Sequence, residues 1–248
     1  MPMTSKLILG DCLEVMQDIP DNSLDLVLSD PPYGTTQCKW DSVIPFEPMW
    51  KQLKRITKDN GAICLFGNEP FSSHLRVSNI EAFKYDWLWV KNRPDGFLNA
   101  KKQPLRKNEI VSVFALNKTN RYYPYLEKCA PVKVKVAATG IGTSVHGKVS
   151  ISKPKYVMRD FKYPQNLLHF DKESRTSRQH PTQKPVALLE YLIKTYTLED
   201  EVVLDFTMGS GSTGVACKNL NRSFIGIENN EKYFKIAEDR INERQGCR

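Results

Sequence analysis

Residues 202–214, VVLDFTMGSGSTG, and residues 223–228, SFIGIE, form the clearest structural pattern of the sequence. An apolar strand runs into a G-x-G-x-x-G loop, a helix follows, and a second strand ends at Glu228. Glycines let such a loop approach a ligand closely, and an acidic residue in this place accepts hydrogen bonds from ribose hydroxyls. The arrangement predicts an α/β fold with a nucleoside-binding site. The alternative is a tight strand-to-helix turn of any α/β protein.

The position of this unit in the chain indicates which nucleoside it binds. A dinucleotide-dependent dehydrogenase carries the unit early, with further strands after it. Here one helix follows Glu228, so the other strands come from the N-terminal half and the motif order is circularly permuted around the sheet. Asp205, at the end of the first strand, disfavours a pyrophosphate and suits an ammonium or sulfonium group. These features favour S-adenosylmethionine over a nicotinamide dinucleotide.

A second motif, Asp30-Pro31-Pro32-Tyr33, follows an apolar strand predicted at residues 24–28. It therefore lies at the carboxyl edge of the sheet, where ligands bind. An exocyclic amine on an aromatic base is a poor nucleophile because its lone pair is delocalised into the ring. The Asp30 carboxylate and the Pro31 carbonyl can each accept one N–H bond of that amine and so localise the lone pair. Tyr33 can stack on a base that has left the duplex; the alternative is a plain extended loop.

Periodicity and turn residues place the other elements. Strands are predicted at residues 6–9, 24–28, 62–66, 85–90, 109–115, 202–206 and 223–227. Helices are predicted from an N-cap at Asp11 to about Ile19, over residues 46–56, from Pro185 as the first helical residue, from the glycine loop to about Leu220, and after Asn229 and Asn230 as caps. Because strands alternate with helices, the sheet is expected to be mainly parallel.

The net charge of +8 over 248 residues is concentrated in the middle of the chain. Residues 91–178 contain 19 Lys and Arg against 6 Asp and Glu, whereas the rest of the chain has a net charge of −5. Interleaved aromatic residues make this segment typical of phosphate contacts and base stacking, although a solvated basic surface has the same composition. No apolar run is long enough for a membrane span. The first residues lack a signal-peptide core, and scattered cysteines without a C-x-x-C pair favour a reducing cytoplasm.

Residues 117–178 show no clear period and are too aromatic for a flexible linker. We interpret them as an inserted target-recognition region within one catalytic domain formed by residues 1–116 and 179–248. The candidate DNA contacts are basic residues of the insertion and two residues of the loop after Tyr33: Arg121, Lys133, Lys135, Lys155, Arg159, Arg175 and Arg178, with Lys39 and Trp40.

With these motifs the chain resembles the β-class DNA amino-methyltransferases, which carry a [D/N/S]-P-P-[Y/F/W] motif ahead of the cofactor loop. The likeness covers roughly residues 5–115 and 179–244. It implies a Rossmann-like methyltransferase sheet, S-adenosylmethionine as cofactor and no metal. It implies that the target amine is held by Asp30, Pro31, Pro32 and Tyr33. The implied cofactor contacts are Asp11, Cys12, Asp30, Thr182, Lys184, Asp205, Phe206, Gly209, Gly211, Thr213, Glu228 and Asn229.

The methyl acceptor is also implied by the resemblance. In this class Asp in the first motif position mostly accompanies N6 of adenine and Ser mostly N4 of cytosine. We therefore expect N6 of adenine in double-stranded DNA, with N4 of cytosine as the alternative. Methylation of cytosine C5 needs a cysteine nucleophile, which typically follows a proline. No cysteine of this chain follows a proline, so C5 methylation is set aside.

Other functional classes stay open at this point. They are a non-catalytic DNA-binding protein of the same fold, a methyltransferase of RNA or of protein amides, and a nicotinamide-dependent dehydrogenase. The resemblance also raises a homodimer and a cognate restriction endonuclease as partners, for a cytoplasmic enzyme that works on the nucleoid.

Overall fold

The computed structural model describes residues 4–35, 41–117, 120–136, 142–144, 147–149, 155–174 and 183–243. The chain divides into two compact units. The larger unit comprises residues 1–123 and 166–248, and the smaller unit comprises residues 124–165. The smaller unit lies inside the segment 117–178 that the sequence predicts as an insertion.

An eight-stranded sheet with the order β1-β12-β11-β2-β3-β5-β4-β10 forms the centre of the larger unit. Neighbouring strands are parallel, except that β5 is antiparallel to both β3 and β4. The strands are β1 (Ser5–Leu9), β2 (Leu24–Ser29), β3 (Thr57–Gly67), β4 (Phe83–Asp95), β5 (Arg106–Phe114), β10 (Leu167–His169), β11 (Val202–Asp205) and β12 (Ser223–Glu228). The largely parallel Rossmann-like sheet and the permuted motif order confirm the predicted fold class.

Helices cover both faces of this sheet. They are α1 (Cys12–Val15), α2 (Phe46–Ile56), α3 (Phe71–Val77), α4 (Val186–Tyr196), α5 (Ser212–Asn219) and α6 (Glu231–Asn242). Val27 of β2 belongs to the buried cluster that contains Leu53 of α2. Leu28, the next residue, belongs to the cluster that contains Leu192 of α4. Since neighbouring strand residues point to opposite faces, β2 is buried on both sides, as central parallel strands are.

The carboxyl ends of β11 and β2 meet in the middle of the sheet, where Leu204 pairs with Val27. After β11 the chain continues through α5 to β12 on one side, whereas after β2 it continues through α2 to β3 on the other side. Loops that leave adjacent strands in opposite directions open a crevice, which is where open α/β sheets bind ligands. The fold therefore brings the glycine loop and the Asp30–Tyr33 motif to the two sides of one crevice.

The smaller unit consists of antiparallel hairpins. Its strands are β6 (Glu127–Val136), β7 (Gly142–Ser144), β8 (Gly147–Val149) and β9 (Lys155–Lys162), with β6 paired to β9 and β7 to β8. The Lys133 ammonium lies 4.9 Å from the ring centre of Tyr156, and the Arg159 guanidinium lies 5.8 Å from that of Phe161. This ladder thus places basic and aromatic side chains next to each other.

Several elements differ from their sequence-based prediction. The helix after Asp11 is α-helical only to Val15 and continues as a 3-10 turn over residues 16–18. Pro185 precedes α4 with extended backbone instead of forming its first turn. Helix α3 and strand β10 were not predicted, and β10 joins the main sheet although the sequence places it in the insertion. Within the described part of the chain, no helix is long and apolar enough to cross a membrane.

Candidate active site

A cavity of about 620 Å³ opens at the carboxyl edge of the sheet. The glycine loop and the end of β12 line one side of it, and the Asp30–Tyr33 motif with the start of β5 lines the other. We call these the loop side and the motif side. Both sides belong to the larger unit, and the ends of β11 and β2 lie between them.

The loop side depends on two glycines with left-handed backbone. Gly209 has φ +52° and Gly211 has φ +76°, a region in which a side chain is strained. A Cβ atom on Gly211 would lie 2.8 Å from the Cβ of Ala237 in α6. The loop therefore requires glycine at both positions to turn over the end of β11.

Asp205 holds the base of this loop. Its Oδ1 accepts a hydrogen bond from the Ser29 hydroxyl at 2.7 Å and from the Thr207 amide at 3.2 Å, and its Oδ2 accepts one from the Thr213 hydroxyl at 2.6 Å. Burial raises the pKa of Asp205 to about 6, although these hydrogen bonds favour the carboxylate. The carboxylate thus ties β2 to the glycine loop and gives the floor of the cavity a negative charge.

Glu228 and Asp11 continue the acidic lining. The Glu228 carboxylate accepts from the amides of Gly209 and Asn230, both at 2.9 Å. Burial raises the pKa of Glu228, and these amides act in the opposite direction. Asp11 caps α1 by accepting from the Leu13 amide at 2.8 Å, which confirms its predicted capping position.

The residues of the loop side fit S-adenosylmethionine. Asp11, Asp205 and Glu228 all line the cavity, and none of them has an ion-pair partner among the described residues. Asp205 and Glu228 are buried, and a buried negative charge without a protein counter-ion suits a ligand that carries positive charge. S-adenosylmethionine carries a sulfonium and an ammonium group as well as ribose hydroxyls, which carboxylates can accept.

The motif side is organised around Asp30. The Tyr33 hydroxyl donates to Asp30 Oδ1, and the Lys184 ammonium contacts Asp30 Oδ2. Lys184 also contacts Glu109 Oε1 at 2.8 Å, and the Tyr33 hydroxyl lies 3.2 Å from the same oxygen. Burial raises the pKa of Asp30, Lys184 opposes this, and the Glu109 carboxylate adds to it.

Glu109 links this group to a chain of paired charges that runs from the buried Lys91 to the more exposed Asp95 and Lys172. Its second oxygen contacts the Lys91 ammonium at 2.8 Å; Lys91 contacts Asp95 at 2.8 Å, and Asp95 contacts Lys172. Burial acts to raise the pKa of Glu109, but the charges of Lys184 and Lys91 outweigh it and lower the pKa to about 2. Glu109 is thus an ionised acceptor that fixes both Lys184 and Tyr33.

Asp41 fixes the backbone that follows the motif. One carboxylate oxygen accepts from the amides of Tyr33 and Gly34 at 2.8 and 2.9 Å, and the other accepts from the Thr35 amide at 3.0 Å. The Tyr33 ring packs against Phe71, with 5.0 Å between the ring centres. Three backbone bonds to one buried carboxylate hold Tyr33 in a fixed position.

The structure brings most of the predicted site residues to this cavity. The residues that line it are Asp11, Cys12, Asp30, Pro31, Pro32, Tyr33, Lys184, Asp205, Phe206, Gly209, Thr213, Glu228 and Asn229. Gly211 is not among the lining residues; it lies where the glycine loop packs against Ala237 of α6. Burial raises the pKa of the Cys12 thiol to about 12, so Cys12 is an unreactive wall residue. Lys184, predicted as a cofactor contact, directs its ammonium to the two carboxylates of the motif side.

Of the predicted DNA contacts, the structure describes Arg121, Lys133, Lys135, Lys155 and Arg159. Lys39, Trp40, Arg175, Arg178 and Thr182, the last a predicted cofactor contact, lie outside the described residues. Lys133, Lys135, Lys155 and Arg159 belong to the β6–β9 ladder of the smaller unit.

Arg121 forms ion pairs within the larger unit. Its guanidinium pairs with Glu201 and, at 3.2 Å, with Asp25. Asp25 is the second residue of β2 and accepts from the amide of Val202, the first residue of β11. Arg121 therefore joins strands at the amino-terminal edge, opposite the cavity, and its role as a DNA contact stays a prediction.

Sequence reasoning missed Asp41, Glu109 and Lys91. Glu109 is the first residue of a predicted strand and Lys91 directly follows another, and a charged residue beside or inside a buried strand is a signal for a paired functional group. Asp41 lies in a stretch without a period, and no local pattern marks it.

Comparisons with known proteins agree with this geometry. Residues 24–239 match the model of the N6/N4 methyltransferase family, described as DNA methylase. The type II methyltransferase M.HpaI of Haemophilus parainfluenzae is 26% identical over 97% of this chain and 75% of its own length. For M1.MboII of Moraxella bovis the identity is 29%, over 94% of this chain and 95% of its own length. The crystal structure of the M1.HpyAVI–SAM complex matches with a TM-score of 0.65 and 26% identity, over 97% of this chain and 100% of that one. Because the family match covers most of the chain, this protein belongs to the family of N6/N4 DNA methylases.

Proposed function

We propose that this S-adenosylmethionine-dependent DNA methylase modifies the exocyclic N6 of adenine in double-stranded DNA, after the base has rotated out of the helix. The observation that carries the proposal is the position of the Asp30 carboxylate, which faces the same cavity as the acidic glycine-loop side. Asp in the first position of the motif, together with the family resemblance, supports adenine over cytosine.

The residues of the motif side would prepare the amine for attack. An N6 group has two hydrogens, and the Asp30 carboxylate and the Pro31 carbonyl offer one acceptor each. With both hydrogens held, the lone pair points toward the loop side. Bound S-adenosylmethionine supplies an electrophilic methyl group on its sulfonium sulfur. Because Lys184, Tyr33 and Glu109 fix Asp30 before the base arrives, much of the rate acceleration would come from positioning.

We further infer that residues 124–165 contribute to target recognition. Their paired strands carry basic side chains next to aromatic ones, a combination that suits phosphate contacts and base stacking. A homodimer, a cognate restriction endonuclease and a nucleoid location remain predictions from the resemblance. Sedimentation of the purified protein tests the first of these.

The deciding experiment follows methyl transfer from labelled S-adenosylmethionine to unmethylated genomic DNA, with nucleoside analysis of the digest. N6-methyladenine is the expected product, and sequencing of the modified sites then gives the recognition sequence. N4-methylcytosine would keep the mechanism and correct the base. If the protein binds S-adenosylmethionine but the genomic DNA acquires no label, the proposal is overturned.

A variant ties the product to the site. Asp30→Ala is expected to lower kcat by about 10³-fold or more, because it removes one acceptor of the amine and the partner of Lys184. DNA affinity should stay within about twofold of the unmodified enzyme, since one buried carboxylate contributes little to phosphate binding. Retained turnover in this variant would contradict the assignment of Asp30.

A further inference from the structure

The hairpin formed by β4 and β5 rises beside the mouth of the cavity. Its tip comprises residues 96–105, and we call it the hairpin tip. Strand β4 is parallel to β2 across β5 and β3, so its end at Asp95 lies on the same edge of the sheet as Asp30. Asp95 and Arg106, the two residues that flank the tip, both line the cavity. The hairpin tip is therefore adjacent to the site where a flipped base would enter.

The hairpin tip has a fixed shape. Gly96 starts it with φ +93°, and a 3-10 turn over residues 97–99 follows. The amides of Asn99 and Gln103 bond to the carbonyls of Gly96 and Asn99, both at 3.0 Å. Between Val90 and Asp95 the ladder is irregular, because this stretch of β4 lies opposite only Asn108 to Arg106 of β5. Such irregularities bend a hairpin, and they often redirect side chains next to active sites.

Two large apolar side chains project from the hairpin tip. Phe97 is 70% exposed, and Leu98 is fully exposed. A single exposed apolar residue is common on protein surfaces and needs no explanation. Here, however, two neighbours stand at the end of a hydrogen-bonded turn, next to the mouth of a functional cavity.

The flanks of the hairpin tip are strongly basic. The cations are Arg93, Lys101, Lys102, Arg106 and Lys107, all exposed, and none has an ion-pair partner in the ranges that the structure describes. Asp95 is the one acidic residue between positions 93 and 107. It is neutralised by Lys91 and Lys172. The apolar tip is thus surrounded by uncompensated positive charge.

We propose that the hairpin tip is a DNA-contacting wedge: Phe97 and Leu98 pack against the bases next to the flipped nucleotide, while the flanking cations bind phosphates. This inference rests on the proposed function and adds a contact outside residues 124–165. Apolar side chains that enter a base stack stabilise a distorted duplex, and basic neighbours anchor the backbone on either side. The rigid turn presents both side chains without a large ordering cost.

A second copy of the chain is the rival occupant of this surface. A two-fold contact would bring the same patch of each copy together. The five unpaired cations of one tip would then face the five of the other, and like charges repel at this range. The polyanionic duplex is the partner that the charge favours.

The test uses the recognition sequence obtained from the modified genomic sites. One duplex carries the target base opposite its normal partner. A second duplex carries an abasic residue opposite the target, so that no base pair has to break when the target base leaves the helix. The variants are Leu98→Ala and Phe97→Ala. Leu198→Ala is the matched control, because Leu198 is 52% exposed and lies ahead of β11 at the opposite edge of the sheet.

For the paired duplex, kcat/KM of both wedge variants is expected to fall about 10- to 100-fold, the range of one lost stacking contact. On the abasic duplex kcat/KM should return to within about threefold of the wild-type enzyme, because an unpaired base leaves the helix at a lower cost and depends less on the wedge. The S-adenosylmethionine Kd and the control variant should not change. Lys101→Ala with Lys102→Ala should lower the salt dependence of DNA binding, by about one unit of log–log slope for each residue.

Three results would overturn the inference. One is unchanged kcat/KM on both duplexes, and another is an equal loss on both. The third is a change of oligomeric state in sedimentation without a change on the paired duplex, which would assign the tip to contacts between copies. Failure of the proposed function itself is recognised separately and earlier, because the genomic DNA would then acquire no label and would yield no recognition sequence.

Discussion

Among single residues, Glu109 is the second carboxylate beside Asp30 and shares Lys184 and Tyr33 with it. We expect Glu109→Gln to lower kcat by about 10- to 100-fold, since Lys184 and Tyr33 lose a fixed partner. The acid limb of the kcat–pH profile should also move to lower pH. The Glu109 carboxylate raises the pKa of Asp30, so its removal lets Asp30 stay ionised in more acidic solution.

Asp95→Asn is the matched control for this measurement. Asp95 belongs to the same charge chain but reaches Asp30 only through Lys91 and Glu109. Asp95→Asn should change the free energy of unfolding but leave the acid limb of the kcat–pH profile close to its wild-type position. An acid limb that stays in place in Glu109→Gln would show that Glu109 acts through packing alone.

Asp205 gives cofactor binding a pH dependence. Its pKa of about 6 means that the carboxylate is ionised at neutral pH and becomes protonated as the pH falls through 6. A neutral Asp205 no longer attracts a cationic ligand, so the Kd of S-adenosylmethionine should rise as the pH falls from 7 to 5. Calorimetric titration at several pH values measures this. Asp205→Asn should bind weakly at pH 8 and show a flatter profile; an equally steep profile would assign the titration to another group.

At the scale of elements, the third glycine of the loop sets how closely α5 packs on its neighbours. A Cβ atom on Gly214 would lie 2.3 Å from Cδ1 of Ile241 and 2.7 Å from the ring of Phe224. We expect Gly214→Ala to lower the free energy of unfolding by about 1–3 kcal/mol, because overpacking outweighs the better helix propensity of alanine. Urea denaturation measures the change.

A double-mutant cycle identifies the cause. Ile241→Val removes the atom nearest to the new methyl group and by itself costs about 1 kcal/mol. The double variant should lose less free energy of unfolding than the sum of the losses in the two single variants. Strict additivity would mean that the clash is relieved elsewhere.

Local patterns were sufficient for the elements that carry the two motifs. Helix α2 begins and ends where its apolar period predicts, because that period also defines the face it buries. The remaining elements depend on contacts that a local pattern cannot contain. Strand β10 has three residues and exists through its pairing with β4, and α3 is short. Asp41 is likewise recognisable only once the loop has folded around its carboxylate.

At the scale of the whole molecule, the basic middle of the chain is expected to control DNA affinity. Lys133→Ala and Arg159→Ala, both in the β6–β9 ladder, should weaken DNA binding and leave the Kd of S-adenosylmethionine unchanged. If these side chains contact phosphates, affinity falls for every sequence and the salt slope drops by about one unit each; if they read bases, the site preference relaxes. Lys54→Ala, an exposed change on α2, is the control. If both variants bind DNA as tightly as the wild-type enzyme, neither residue contributes to the DNA interface.

The permuted strand order also determines when the protein can fold. Ser29 and Asp205 bond to each other across 176 positions of the chain, and β2 has β11 as its neighbour on one side. A growing chain on the ribosome therefore exposes an open edge of β2 until residues 202–205 have been synthesised. Contacts of such long sequence separation make folding slow and leave early intermediates prone to aggregation. Because the same late strand carries the base of the cofactor loop, a nascent chain gains its ability to bind the methyl donor only when the middle of its sheet closes.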